Sequence, residues 1–131
     1  MLGWADVFVA LFASHHVGDY LLQTEWQAVN KHGGLSGPPA ARRALFSHIA
    51  TYTLSFVPAM IWLWSSRGAW VFGVLALIAI PHLIQDDGRA LAAYSIRVKK
   101  ADIDANPMLA AALDQSFHLL ALFGTALLVG S

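Results

Sequence analysis

MLGWADVFVALFASHHVGDYLLQT, Met1 to Thr24, joins an apolar run to two histidines and an aspartate. At 1.5 Å per residue, about 20 residues cross a hydrocarbon core ~30 Å thick, and positions 2–23 meet that length. An Asp at the centre of such a span costs about 2.5–3.5 kcal/mol on insertion scales. His15, His16 and Asp19 therefore raise two questions together: what the fold is, and what offsets that cost. The segment lacks the basic start and small-residue cleavage site of a secretory signal, so it reads as a retained span.

Three more segments of this kind follow, near 43–64, 69–90 and 108–129. Of 131 residues, 57% are hydrophobic and 12% charged, against roughly 25% charged in an ordinary soluble domain. The expected fold is all-α: an integral-membrane bundle of four transmembrane helices forming one domain, residues 1–131. KHGGLSGPPAARR, Lys31 to Arg43, cannot continue a helix through its Gly-Gly, Ser-Gly and Pro-Pro pairs and reads as a polar, flexible loop. SSRG, Ser65 to Gly68, reads as a tight turn, flanked by Trp62, Trp64 and Trp70 as by an interfacial aromatic belt. Asn106-Pro107 marks a helix start, and part of the linker before it, AAYSIRVKKADIDANP, is expected to form a surface helix. Pro58 and Pro81 are each expected to kink their spans.

Charge sets orientation and excludes partners. Lys31, Arg42, Arg43, Arg89, Arg97, Lys99 and Lys100 fall on the two long loops, leaving Arg67 alone opposite. The positive-inside rule then predicts a multi-pass protein of the cytoplasmic (inner) membrane with both termini on the outer side. Net charge is zero and no basic face emerges, so nucleic acid is not an expected partner. The absence of Cys excludes disulfides, thiolate metal sites and a cysteine nucleophile.

Every span carries ionisable groups: His15 and Asp19, His48, His82 and Asp86, Asp114 and His118. Three spans place a His and an Asp four residues apart, which puts both on one helix face about 6 Å apart. Depth agrees independently. His15 lies about 12 Å before the end of its span, His48 about 8 Å after its start, His82 about 12 Å before its end, and Asp114 and His118 about 9 and 15 Å into the last. Antiparallel threading brings them to one level in the cytoplasmic half of the bilayer. Intramembrane ionisable residues mark functional sites by default, and bundles build metal sites in this way. His15, Asp19, His48, His82, Asp86, Asp114 and His118 are thus the candidate metal ligands. His16, about 100° away from His15, is assigned to packing; His32, Asp87, Asp102 and Asp104 are expected in solvent.

Nitrogen and oxygen ligands without thiolate suit Zn²⁺, as one ion or two sharing carboxylates, with Mn or Fe also compatible. No Glu lies within any span, which disfavours an oxygen-activating di-metal enzyme but leaves it as an alternative. The leading expectation is a metal-dependent hydrolase acting on a lipid or lipid-like substrate. Asp19 or Asp114 serves as general base, and Arg89 or Lys31 at the rim holds an anionic headgroup. Gln23, Gln85 and Gln115 are candidates to orient ligands or substrate. Ser14, Ser47 and Ser116 adjoin the site without a nucleophile signature. The alternative from another class is a transporter or metal-handling protein, which would require a homo-oligomer, with Gly18, Gly73 and Gly124 allowing close helix approach.

The pattern HHVGDYLLQTEWQAVNK, a lone His48 with Tyr52 four residues on, HLIQDDGR and LDQSFH resembles the small bacterial membrane-protein family catalogued as domain of unknown function 3307. The resemblance runs nearly end to end and covers His15, Gly18, Asp19, Gln23, Trp26, Lys31, His48, His82, Asp86, Asp114, Gln115 and His118. Tyr20 stands where Phe is usual and Arg89 where Lys is frequent. The resemblance implies the ligand set and no function. More loosely, the chain is similar to small membrane-bound metal-dependent hydrolases with intramembrane His and Asp ligands, an analogy of architecture.

Overall fold

The computed structural model describes residues 2–130, so the extreme ends of the expected 1–131 domain lie outside the described residues. The described regular elements are helical, without a strand among them. Helix α1 (Trp4–His16) runs straight into a π-helical segment (Val17–Leu22). α2 is Glu25–Asn30, α3 Pro39–Ser55 and α4 Val57–Arg67, after which a 3-10 turn (Gly68–Trp70) leads into α5 (Val71–Asp86). α6 (Arg89–Tyr94) continues as a π turn (Ser95–Lys99), and α7 is Pro107–Val129.

Local chemistry explains the starts and breaks. α2 begins on a reciprocal capping box: the Thr24 hydroxyl accepts from Gln27 N–H, and Gln27 Oε1 accepts from Thr24 N–H. α7 begins where Asn106 Oδ1 accepts from Leu109 N–H and Pro107 occupies the first turn. Pro58 lacks the N–H that would carry the ladder onward, and α3 gives way to α4 at Phe56 beside it. Pro81, by contrast, interrupts no element.

Two helical runs, Val57–Asp86 and Pro107–Val129, are long and apolar enough to cross a membrane. The first is not a single rod. The rings of Trp64 and Phe72 lie 6.2 Å apart between centroids at a sequence separation of eight, positions that an unbroken helix would hold about 12 Å apart along its axis. The chain reverses at Gly68, whose φ of +52° favours glycine, and Trp64 meets Phe72 edge-on across the turn.

Four helical rods close a ring: α1 packs on α7, α7 on α5, α5 on α3, and α3 on the π segment that extends α1. The interior divides into two halves. One is dry, built from Val7, Leu11, Phe56, Leu63, Val74, Leu122 and Ala126. The other is polar, and four-residue steps join them: Leu11, His15, Asp19; Ile78, His82, Asp86; Leu122, His118, Asp114. Each series runs from hydrocarbon to imidazole to carboxylate along one helix face.

The loop expected to be flexible is tied to the end of α5. Gly33 N–H donates to Asp87 O (2.8 Å), Leu35 N–H donates to Asp87 Oδ1 (2.9 Å), and Arg89 donates to both Asp87 and Ser36. Asp87 is therefore buried rather than solvated. α5 stops at Asp86 instead of running on to 90 because Gly88 adopts φ +79°.

Candidate metal centre

Asp86 is the hub. Its Oδ2 lies 2.9 Å from His48 Nε2 and 3.2 Å from His82 Nε2, and its Oδ1 lies 3.3 Å from His118 Nε2. Asp19 Oδ1 approaches the same two rings, 3.2 Å from His48 Nε2 and 3.4 Å from His82 Nε2. With the 3.1 Å between those nitrogens, His48 and His82 form one triangle with Asp86 Oδ2 and another with Asp19 Oδ1, with sides of 2.9 to 3.4 Å. Three atoms so spaced can share a cation about 2.0 Å from each, the length of a Zn–N or Zn–O bond.

Lys31 Nζ, 2.9 Å from Asp86 Oδ2, pairs with only one of these oxygens. Asp19 Oδ1, Asp86 Oδ1 and His118 Nε2 are buried without a hydrogen-bond partner among the described residues. Buried polar groups of native proteins are nearly always bonded, so their convergence fits a cation. His118 sharpens the point. Its Nδ1–H donates to Asp114 O at 2.7 Å, so in the neutral ring the Nε2 lone pair faces a carboxylate oxygen. The Nδ1 atoms of His48 and His82 are also buried and unbonded, so no partner sets their tautomers.

His15 is placed differently from the other three. Gln115 Nε2 donates to the carboxylates of Asp19 (3.3 Å) and Asp114 (3.4 Å), which turns its Oε1 toward His15 Nε2 at 2.9 Å. His15 Nε2 therefore carries the proton, its Nδ1 accepts, and the Tyr52 hydroxyl donates to it across 3.1 Å. Both ring nitrogens are engaged, and the chain Tyr52, His15, Gln115 ends by holding Asp19 Oδ2. Tyr52 also stacks flat on His82, centroids 3.4 Å apart. Position 52 lies on the same face of α3 as His48, the one sign of this role in the sequence.

The π segment contributes Asp19, and such segments recur at functional sites. Gly18 lets α1 close on α3 there: a Cβ would meet Tyr52 Cδ2 at 2.6 Å and Ser55 Oγ at 2.9 Å. Gly73 and Gly124 make no such approach within the chain. His16 is exposed, bonded to Phe12 O and stacked on Tyr20, outside the cluster.

Lys31, expected at the rim, is buried, with Nζ 2.9 Å from Asp86 Oδ2. Arg89 stays at the surface, paired with Asp87 and Ser36. Gln85 Nε2 donates to Phe117 O, while Gln23 Nε2 is buried and unbonded. Ser14, Ser47 and Ser116 donate back into their own helices, to Ala10 O, Ala44 O and Ala112 O.

Two cavities reach the edge of the cluster at Asp114. The larger, about 580 Å³, is lined by Lys31, His32, Asp87, Arg89 and Asp114 among others. The smaller, about 190 Å³, runs between Gln85, Leu91, Tyr94, Asp114 and Phe117. They share Leu91 and Asp114. On the opposite side Leu11, Phe56, Ile78 and Leu122 close the interior one turn away.

Among curated proteins and solved structures, none matches this chain. The family model described as Protein of unknown function (DUF3307) matches residues 7–129, nearly the whole length, and the chain belongs to that family.

Proposed function

We propose that the protein is a metal-dependent hydrolase embedded in the cytoplasmic membrane, with four spans and both termini outside, acting on a lipid or lipid-like ester, amide or phosphodiester. The observation that carries this reading is the convergence of His48, His82 and Asp86 Oδ2, 2.9 to 3.2 Å apart, with Asp19 Oδ1 within 3.4 Å of both rings, spacings that suit a shared cation. Its nitrogen and oxygen donors favour Zn²⁺ among the biological divalent ions.

The membrane setting has its own support. Val9, Leu21, Leu54, Ile61, Ile80 and Leu120 project outward and are exposed, while the ionisable groups face inward. That is the arrangement of a chain solvated by hydrocarbon. Seven Lys and Arg on the long loops against Arg67 opposite set the orientation.

When bound, a divalent ion lowers the pKa of a water toward ~7 and polarises the scissile bond. The chain supplies the rest. Asp114, a carboxylate of the cluster that also lines both cavities, takes the proton as the water oxygen bonds to the substrate's acyl carbon or phosphorus. The bond from that carbon or phosphorus to the leaving oxygen or nitrogen then breaks, and Asp114 returns the proton to the leaving atom. The small cavity, walled by Leu91, Tyr94 and Phe117, takes an apolar chain, and Lys31 and Arg89 border the large one, where a headgroup fits.

The test is metal content by mass spectrometry on detergent-purified protein kept free of chelator. Wild type is expected to carry stoichiometric transition metal, and His82→Ala and Asp86→Ala to lose it. A wild-type protein without metal overturns the reading.

A further inference from the structure

We infer that the cluster holds two ions rather than one, and that the second, at His118, Asp114 and Asp86 Oδ1, is the one facing the substrate. This rests on the metal-centre reading above and assigns the reactive position within it.

Three overlapping triads have ligand atoms within 4.8 Å of one another: Asp19, His82 and His118; His48, His82 and Asp86; Asp86, Asp114 and His118. A ring nitrogen ligates one ion only, so His82 and His118 each belong to a single position. The partition that uses each histidine once keeps His48 and His82 together, because their nitrogens lie 3.1 Å apart and both face Asp86 Oδ2 and Asp19 Oδ1. It leaves His118 with Asp86 Oδ1 and Asp114. The two oxygens of Asp86 thus face different histidines, Oδ2 toward His48 and His82 and Oδ1 toward His118. A carboxylate so placed bridges two ions about 3.5–4 Å apart, the spacing of two-metal hydrolytic sites.

An independent sign lies at His118 itself. It is 2% exposed, its Nδ1–H is committed to a backbone carbonyl, and its Nε2 has no hydrogen-bond partner among the described residues while pointing at an equally unbonded Asp86 Oδ1. Two acceptors aimed at each other in a dry interior call for a cation between them.

The two positions differ in closure. The inner one is offered four protein atoms, His48 Nε2, His82 Nε2, Asp86 Oδ2 and Asp19 Oδ1, as many as a structural ion takes, whereas the outer one is offered three, the number that leaves a coordination site open. Its third ligand, Asp114, borders both cavities. Ligation through one Asp114 oxygen leaves the other for the proton-accepting role.

The experiment uses full-length protein in detergent, loaded with Zn²⁺ or Mn²⁺ and desalted. Wild type is expected to retain about two Zn²⁺ per chain, and His118→Ala to retain one. Mn²⁺-loaded wild type is expected to give an exchange-coupled paramagnetic resonance spectrum, which depends on no variant folding correctly. Retention of one ion by wild type, with only an uncoupled Mn²⁺ signal, overturns the two-ion inference and leaves the single-centre reading standing. Retention of none overturns both.

Discussion

The two halves of the bundle interior solve opposite problems. The half around Phe56, Leu63, Val74 and Ala126 is filled by side chains with nothing to satisfy. The half around Asp86 gathers four imidazoles, three carboxylates and an ammonium, several of whose atoms have no hydrogen-bond partner among the described residues. Van der Waals packing associates helices even in lipid, and the dry half supplies it. What the polar half adds is a set of imidazole and carboxylate atoms that four separate helical rods bring within 2.9 to 3.4 Å of one another.

The comparison breaks most severely at Asp86. Asp86→Ala leaves three histidines and Lys31 without their shared carboxylate, and removing one member of a buried ionic group costs about 3–5 kcal/mol. Thermal unfolding in detergent should show that loss together with loss of metal. In the dry half, Phe56→Ala should cost a similar ~3 kcal/mol through the cavity it opens, with metal content unchanged. If metal content falls as far as in Asp86→Ala, the two halves are not separable in the way described here.

Gly18→Ala tests the seam between them. The added Cβ meets the Tyr52 ring, and overpacking of this kind costs about 1–3 kcal/mol. Because Tyr52 holds His15 and stacks on His82, metal affinity should fall as well. Tyr52→Phe is gentler: it keeps the stack and removes only the hydroxyl, with an expected cost of about 1 kcal/mol and a loss of roughly tenfold in metal affinity. Titration with a competing chelator separates this from wild type, and an unchanged affinity would show that the chain through His15 does not orient Asp19.

The smallest effect concerns the loop tether. Burial opposes ionisation of Asp87, but hydrogen bonds from Arg89 and the Leu35 N–H hold its carboxyl below the ordinary range. A carboxyl depressed in the folded state stabilises above its unfolded value near ~3.9 and loses that contribution as pH falls through the folded value. Amide exchange at Gly33 and Leu35 should therefore lose protection in acid, and Asp87→Asn should remove most of that pH dependence.

These features were legible in the sequence to different degrees, for physical reasons. The four-residue spacing of His82 and Asp86, or of Asp114 and His118, is a local property of a helix, and depth follows from the rise per residue, so their convergence was readable. The reversal at SSRG was readable because Gly68 follows a run that cannot cross twice without turning. His15 was not separable from His118, since each has an Asp four residues away; the difference lies in Gln115 and Tyr52, which other helices bring to His15. Lys31 reads as a rim residue because its loop is polar and glycine-rich, and Asp87 reads as solvated because it stands beside Gly88 and Arg89 at the end of a span. Their burial depends on that loop folding back over the end of α5, a contact between positions 33–36 and 87–89 that no local pattern encodes.

The central claim is that imidazoles and carboxylates from separate helices bind one metal centre. X-ray absorption at the zinc edge on the Zn²⁺-loaded protein tests it most directly. The expected spectrum has a first shell of nitrogen and oxygen at about 2.0–2.2 Å, with outer-shell scattering from imidazole that weakens in His82→Ala. A first shell of oxygen alone, without imidazole scattering, would place any bound zinc elsewhere and contradict the account.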